Sequence, residues 1–599
     1  MLSISNFLHF VLLVLINLII FALKNKSRLS MNNLTKKSLG AGAYTLYILW
    51  GIACFAFFQI GYHYHFFYQE QNQLFLWSKD YLETYLDKPG WLACMAGDFF
   101  TQFYYYLYAG PAILTLTLLL LGHNIRRAML DTGIKHTWIA VLVSFIIMTA
   151  CAFLCLNHEY RLGSIFAICG GASVFRVSTR SLTNTRMFIK KIEHMQGKGK
   201  AVEGHTLPHF VSALSIAFTV PVCHWFFGSG VWTYFIFVII GCINYVLQPY
   251  TYLRLGCLFG SMLILLFGKR LYLVNYETLY TYPAFGKFVK PEFDREKIYA
   301  ADFEYYRGDY NKIIDIVQKE KKPNKYTLFY YNLVMAQNKN LSDNLLKYPD
   351  NCLGTLETMG AKTTNLLTKS FGELYWLLGD MNNAKRAAIL GNINPPCNHN
   401  IRQIKRLAEI NLVTGDIPQA KKFLRILQKT FVWRRWADRI FAALGRHATP
   451  EERATLQPYL DKRPFINTCD TLRNDDNSYA IMKELIASNP ANNIAINYLL
   501  CTDLLQKNLE AFKHDYDAYY LKQARVLYDG LYQQALMIYL AKVNATKEQW
   551  SYYIKRKDLL DRFHQYQEQR GSDSFKDTYW YYYDRAATPK TNVEATTIK

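Results

Sequence analysis

The hydrophobic residues are distributed unevenly along the chain, and they divide it into two parts. Residues 1–285 consist of long apolar runs separated by short basic loops. Residues 286–585 are rich in charge, and their apolar positions recur with the spacing of amphipathic helices. The pattern predicts an all-α protein: a polytopic transmembrane helix bundle over 1–285, a soluble helical domain over 286–585 and a disordered polar tail over 586–599.

A transmembrane helix needs about 20 mostly apolar residues. Eight runs are candidates: 6–23, 43–62, 106–122, 137–157, 162–175, 207–227, 229–248 and 253–273. The run at 162–175 is the shortest. It either crosses by extending through Arg161 and Arg176, whose long side chains reach the interface, or only re-enters the membrane. Its Gly170-Gly171 pair allows close approach of a neighbouring helix.

Lysine and arginine cluster in the loops after the first, third and fifth runs, whereas the other loops carry few. Because positive loops stay in the cytoplasm, this pattern places the N-terminus outside. Eight crossings of a bacterial inner membrane then place residues 274–599 in a periplasm-like space. If 162–175 only re-enters, the C-terminal part lies in the cytoplasm instead. Residues 1–285 and residues 286–599 each contribute +11 to the formal net charge of +22. The basic loops account for the contribution of the first part, and the total requires no anionic partner.

A helix–turn–helix pattern recurs in the charge-rich part. Its turns pair a glycine with an aspartate, and an alanine follows two of them: Gly308-Asp309, Gly379-Asp380 with Ala384, and Gly415-Asp416 with Ala420. Glycine supplies the positive φ that ends a helix, aspartate can cap the next helix, and alanine lets two helices approach closely. Degenerate turns fall near Lys339-Asn340 and Lys507-Asn508. A repeat of about 34 residues with these features resembles tetratricopeptide repeats, although simple helical hairpins contain the same turns.

Stacked helical repeats expose a surface that binds other proteins. Trp433, Arg434, Arg435 and Trp436 are the candidates for such a contact, because they combine aromatic and basic side chains. In the alternative interpretation the tryptophans pack inside the array and the arginines are solvated. No nucleic-acid-binding motif is present, so a protein partner is expected and a nucleic-acid partner is not.

The segment 62–110 is rich in aromatic residues and carries five carboxylates. Its composition predicts a loop that lies on the outer face of the membrane. An acidic outer loop followed by helical repeats resembles membrane glycosyltransferases of the GT-C type, which implies a carboxylate base and a lipid-linked sugar donor. Under this alternative Glu70 and Asp80 are the catalytic candidates and a divalent metal is the cofactor. The simpler interpretation is that these carboxylates solvate an interfacial helix.

Other chemistry has little support in the sequence. No phosphate-binding loop, dinucleotide-binding glycine motif, nucleophile elbow or HExxH motif occurs. The histidines lack metal-ligand spacing, so no cofactor or metal is predicted for the leading function. The predicted spans contain few charges, Arg254 being the nearest to the membrane interior, and show no evident internal repeat. A transporter is therefore disfavoured.

The sequence FFYQEQNQLFLWSKDYL, followed by KPG and FFTQFYYY within residues 66–108, resembles a family of uncharacterised polytopic membrane proteins of Bacteroidota-type bacteria. The resemblance extends over the whole chain. It implies the same architecture, with a C-terminal helical-repeat region, and it implies no activity. The leading functional hypothesis is an inner-membrane protein whose helical domain is a scaffold that recruits envelope protein partners.

Overall fold

The structure is a computed structural model that describes residues 33–134, 136–195, 206–244, 251–268, 276–284, 286–348, 353–356, 365–393, 399–467, 478–523, 526 and 528–586. Every regular element in these ranges is a helix, which confirms the predicted all-α class. The predicted first span, 6–23, and the predicted tail beyond Ala586 lie outside the described residues. The chain divides into two compact units: residues 1–293 with 429–432, and residues 294–428 with 433–599.

The first unit is built from long apolar helices and shorter helices between them. Its helices are α1 (Asn33–Gly61), α2 (Tyr64–Gln71), α3 (Lys79–Glu83), α4 (Trp91–Thr101), α5 (Ala109–Asp131), α6 (Thr137–Leu154), α7 (Leu162–Met195), α8 (Thr206–Phe227), α9 (Val231–Asn244), α10 (Thr251–Ile264) and α11 (Tyr276–Thr281).

Five helical stretches of the described chain are long and apolar enough to cross a membrane: Gly42–Gly61, Ala109–Asp131, Thr137–Leu154, Leu162–Arg180 and Ala213–Asn244. The run predicted at 162–175 belongs to a helix that is long enough to cross a membrane, because α7 continues past Arg176. The runs predicted at 207–227 and 229–248 form one apolar stretch of two helices, which meet at Gly228–Gly230. The run predicted at 253–273 gives the shorter apolar helix Thr251–Phe267.

The helices of the first unit carry large apolar side chains on their outer as well as their inner faces. Leu116 on α5 and Phe218 on α8 are 66% and 70% exposed, whereas Leu118 and Val220 on the same helices are fully buried. A helix that is apolar all round is either buried in a core or lies in a membrane. Exposed apolar surface of this kind is rare in soluble proteins. The first unit is therefore that of a membrane protein.

The close helix packing predicted at Gly170-Gly171 is confirmed. A Cβ atom on Gly171 would lie 2.0 Å from the carbonyl oxygen of Gly230, and a Cβ atom on Gly170 would lie 2.0 Å from the Phe227 ring. No side chain fits in either place. These two glycines therefore set the distance between α7 and the junction of α8 with α9.

The second unit consists of shorter helices joined by tight turns. Its helices are α12 (Phe293–Arg307), α13 (Tyr310–Gln318), α14 (Lys325–Gln337), α15 (Leu341–Asn344), α16 (Asn365–Leu378), α17 (Met381–Ile393), α18 (Ile401–Thr414), α19 (Ile417–Gln428), α20 (Arg434–Ala443), α21 (Pro450–Ala454), α22 (Gln457–Leu460), α23 (Ser478–Ser488), α24 (Asn493–Leu505), α25 (Leu509–Asp515), α26 (Gly530–Lys542), α27 (Lys547–Tyr553), α28 (Lys557–Glu568) and α29 (Tyr579–Arg585).

The glycines of the three predicted turns lie in the left-handed region, with φ of +81° at Gly308, +91° at Gly379 and +83° at Gly415. Their surroundings differ. A Cβ atom on Gly379 would lie 2.2 Å from the backbone oxygen of Phe465, whereas a Cβ atom on Gly308 would meet nothing within 4 Å. Gly379 is therefore required by both its conformation and the space around it, and Gly308 by its conformation alone.

The residues that follow these glycines begin the next helices. The side chains of Asp380 and Asp416 accept hydrogen bonds from the backbone N–H groups three residues later, at 3.0 and 3.2 Å, and so cap α17 and α19. Asp309 makes no such cap and forms an ion pair with the lysine three residues later, at 2.8 Å. Ala384 and Ala420 are fully buried one turn into their helices, where only a small side chain permits close packing.

The two degenerate turns reach a positive φ without glycine. Lys339 and Lys507 adopt positive φ values of 60° and 59°. The side chain of Asn508 then caps α25 by accepting a hydrogen bond from the N–H of Ala511 at 3.1 Å. Lysine is strained in this conformation, so the surrounding helices hold these turns in place.

Candidate functional site

Two tryptophans that the sequence analysis identified both contact the side chain of one lysine. Trp433 immediately precedes α20 and Trp436 lies in its first turn, and their ring centroids are 6.3 Å apart. The ammonium group of Lys405, on α18, lies 5.0 Å from the Trp433 ring and 4.9 Å from the Trp436 ring. These are cation–π distances. Glu409, one helical turn along α18, accepts from Lys405 at 2.6 Å and keeps the ammonium group in position.

The two arginines between these tryptophans point into solvent. Arg434 is exposed and forms a long ion pair with Asp438, at 3.8 Å, while Arg435 is also exposed. Both tryptophans are half-buried. The four predicted partner-binding residues therefore form one patch, in which Lys405 anchors the aromatic rings and the guanidinium groups lie in solvent.

A buried network of ion pairs lies on the same helix as Lys405. Arg402 donates to Asp302 at 2.7 Å and to Glu373 at 2.9 Å. Arg406 donates to Glu373 at 2.6 Å and to Glu409 at 2.9 Å. All these side chains are at most 10% exposed. The network joins α12, α16 and α18, and it fixes the helix that carries Lys405.

The charge on Glu373 depends on its two arginine partners. Burial by itself raises the pKa of this carboxyl group, but Arg406 and Arg402 outweigh that effect and hold the pKa at about 2. Glu373 is therefore ionised at neutral pH although it is almost completely buried. The only sign of this network in the sequence is the spacing of Arg402, Lys405 and Arg406, which places three cations on one face of a helix.

A further aromatic residue, Trp376, lies between two cations. The Arg406 guanidinium carbon is 4.4 Å and the Lys462 ammonium nitrogen 4.9 Å from its ring centroid. Lys462 also donates to the Trp376 carbonyl oxygen at 3.2 Å. Burial and the neighbouring Arg406 together lower the pKa of Lys462 to about 8, against the opposing effect of Glu373 and Glu409. Lys462 adds a fourth positive charge to this cluster. The three cations of α18, Arg402, Lys405 and Arg406, already pair with three carboxylates, those of Asp302, Glu373 and Glu409.

A separate buried carboxyl group lies on α24. Asp503 is fully buried, and neither of its side-chain oxygens has a hydrogen-bond partner within the described ranges. The adjacent Asp515 is well satisfied, since it accepts from the hydroxyl of Tyr479 at 2.7 Å and pairs with Lys483 at 3.2 Å. Burial and the charge of Asp515 together raise the pKa of Asp503 to about 8, and Lys483 opposes the shift.

The two catalytic candidates of the segment 62–110 lie in different environments. Glu70 is in α2 and only 3% exposed, whereas Asp80 is in the short helix α3 and exposed. A third carboxylate of this segment, Asp98 on α4, accepts a hydrogen bond from the hydroxyl of Tyr85 at 2.8 Å. Burial raises the pKa of Asp98, although Arg161 and Tyr85 oppose the shift. In the part of the chain that the structure describes, no three histidine, cysteine or acidic side chains converge to hold a metal ion.

The fold and these sites define an α-helical membrane protein whose second unit carries an anchored cluster of cations and aromatic rings. The chain belongs to the family of unknown function DUF6057, and the family model matches residues 37–586. The expected resemblance to an uncharacterised family is confirmed at this level. No curated protein and no solved structure matches the chain.

Proposed function

We propose that this protein is a membrane-held scaffold that recruits a protein partner through its second unit. The observation that carries the proposal is the cluster of Lys405, Trp433 and Trp436 with the exposed Arg434 and Arg435. Tryptophan and arginine are the residues that contribute most to protein–protein binding. The buried ion pairs of α18 hold the cluster in one conformation, which reduces the entropy lost on binding. The positive charge of its exposed edge favours an acidic surface on the partner.

The finer architecture belongs to the same proposal. We place the protein in the inner membrane of a Bacteroidota-type bacterium, with up to eight spans and a tetratricopeptide-like second unit on the periplasmic side. The positive-inside distribution of the loops supports this orientation, and the five hairpin turns support the repeat assignment. A phosphatase reporter fused after Lys599 tests the orientation. Activity of the phosphatase is expected, and an inactive phosphatase with a fluorescent cytoplasmic reporter would reverse the placement.

Photo-crosslinking in living cells tests the scaffold role with the full chain. A benzophenone amino acid replaces Arg435 in one variant and Lys547, an exposed residue of α27, in the control. A specific adduct is expected only at position 435, and it should disappear when Trp436→Ala is added. Equal adducts at both positions, or an adduct that does not depend on Trp436, would contradict the proposal.

The glycosyltransferase alternative has less support from the geometry, because Glu70 is buried and Asp80 is exposed. It predicts that Glu70→Gln and Asp80→Asn each abolish transfer from a lipid-linked sugar and weaken divalent-metal binding. The matched control is Asp87→Asn, an exposed carboxylate of the same segment. Loss of sugar transfer in the two variants but not in the control would replace the scaffold proposal with the enzyme.

A further inference from the structure

An arginine lies inside one of the apolar helices of the first unit. The run counted from the sequence ends at residue 122, before any charge, but α5 continues to Asp131 and includes Arg126. Arg176 lies within the apolar stretch of α7. The expectation that the spans contain few charges, with Arg254 the nearest to the interior, therefore needs correction. Charged residues within membrane helices mark functional sites because their burial in lipid is costly.

Arg126 is a buried cation of α5. Its residue exposure is 7%, and among the described residues its Nε–H has no hydrogen-bond partner and no carboxylate forms an ion pair with it. Its guanidinium carbon lies 4.7 Å from the Tyr44 ring centroid and 6.0 Å from that of Tyr47. Aromatic faces attract a cation but do not neutralise it. A buried charge that is left unpaired is strongly destabilising, so a counter-ion is needed at this position.

Within the described ranges, the polar groups near Arg126 are already engaged by other partners. Arg176 forms an ion pair with Asp131, at 3.4 Å, and donates a hydrogen bond to the side-chain oxygen of Asn124, at 2.7 Å. The amide nitrogen of Asn124 donates to the sulfur of Cys169 at 3.0 Å. Asp131 therefore pairs with Arg176 and not with Arg126, and Arg127 beside them adds a third positive charge at the surface. The cluster has an excess of positive charge at one end of α5.

We propose that Arg126, together with Arg176, binds a phosphate group supplied by the headgroup of an anionic membrane lipid. Guanidinium groups match phosphate oxygens with two parallel hydrogen bonds. Tyr44 is 41% exposed and marks the side from which a lipid reaches Arg126. Basic clusters between membrane helices on the cytoplasmic side are suited to anionic headgroups. This proposal rests on the membrane placement of the first unit and not on the recruitment of a partner by the second.

Lipid binding to the full-length protein, measured by native mass spectrometry, tests the site. The probes are phosphatidylglycerol and phosphatidylcholine with identical chains. The variant is Arg126→Gln, and the matched control is Arg127→Gln, the adjacent exposed arginine. The wild type and Arg127→Gln should prefer phosphatidylglycerol, and Arg126→Gln should reduce that preference about tenfold or more, which corresponds to a charge-assisted hydrogen bond.

The outcomes separate the site from general surface electrostatics. Equal losses in Arg126→Gln and Arg127→Gln would overturn the proposal, because they would indicate only a diffuse attraction. Displacement of the lipid by inorganic phosphate would overturn the assignment of the lipid as the source of the phosphate group. If Arg126→Gln does not fold, Arg126→Lys keeps the charge and loses the paired geometry, so it should bind more weakly than the wild type. Unchanged binding by Arg126→Lys would contradict the site, while crosslinking at position 435 would be unaffected in every case.

Discussion

Replacing Glu373 by glutamine removes the charge that joins two buried arginines. Glu373 accepts hydrogen bonds from Arg402 at 2.9 Å and from Arg406 at 2.6 Å. Removing one partner of a buried ion pair costs roughly 3–5 kcal/mol, because the remaining charge is buried without compensation. Glutamine keeps one acceptor oxygen, so the lower end of this range is expected.

The pKa of Glu373 gives an independent magnitude. The arginines overcome the effect of burial and lower the pKa from 4.5 to about 2, and each unit corresponds to about 1.4 kcal/mol, which amounts to roughly 3 kcal/mol. Because the folded-state pKa is the lower one, this contribution is fully present above about pH 4.5 and is lost as the pH falls towards 2. Both routes predict a loss of about 3 kcal/mol at neutral pH.

Hydrogen exchange of the full-length protein in detergent measures this loss locally. The free energy of opening of α18 should fall by about 3 kcal/mol in Glu373→Gln. The matched control is Glu568→Gln, at an exposed position of α28, which should change stability by less than about 0.5 kcal/mol. A loss below about 1 kcal/mol in α18 would mean that the buried network contributes no more than a surface ion pair, and the reasoning would be refuted.

Gly379→Ala should lower the free energy of unfolding by more than about 2 kcal/mol, and Gly308→Ala should lower it by about 1 kcal/mol. The difference is expected because only the new methyl group at position 379 meets a backbone oxygen. Equal losses for the two variants in denaturant unfolding would contradict this. The rate of Lys462 acylation, followed by mass spectrometry, should rise with pH around a midpoint near 8. A midpoint near 10.5, the ordinary pKa of lysine, would contradict the lowered pKa. The pKa of Asp503, raised from 3.8 to about 8, makes stability fall as the pH rises between these values. Asp503→Asn should remove this loss of stability with rising pH, whereas Asp515→Asn should lower the stability of the fold. Identical pH–stability curves for the wild type and Asp503→Asn would refute this.

The helical class and the hairpin turns follow from the sequence alone. Gly379 and Gly415 were identifiable because a positive φ is a local requirement that glycine meets with little strain. Trp433 and Trp436 were identifiable because they flank two arginines, and aromatic and basic side chains together favour contact with a protein partner. The apolar runs are also local, since the cost of placing a backbone in lipid depends mainly on the composition of each segment.

The partners of these residues come from the tertiary structure only. Arg402 and Asp302 are 100 residues apart in the chain, and periodicity carries no information about which helices meet. Lys405 of α18 similarly meets the Trp433 ring only in the folded protein. Arg126 was missed because an apolar count stops at a charge, whereas the helix continues and the Tyr44 and Tyr47 rings pack around it. Local preferences set where helices begin and end, but the energy of a buried charge depends on groups that only folding brings within a few ångströms.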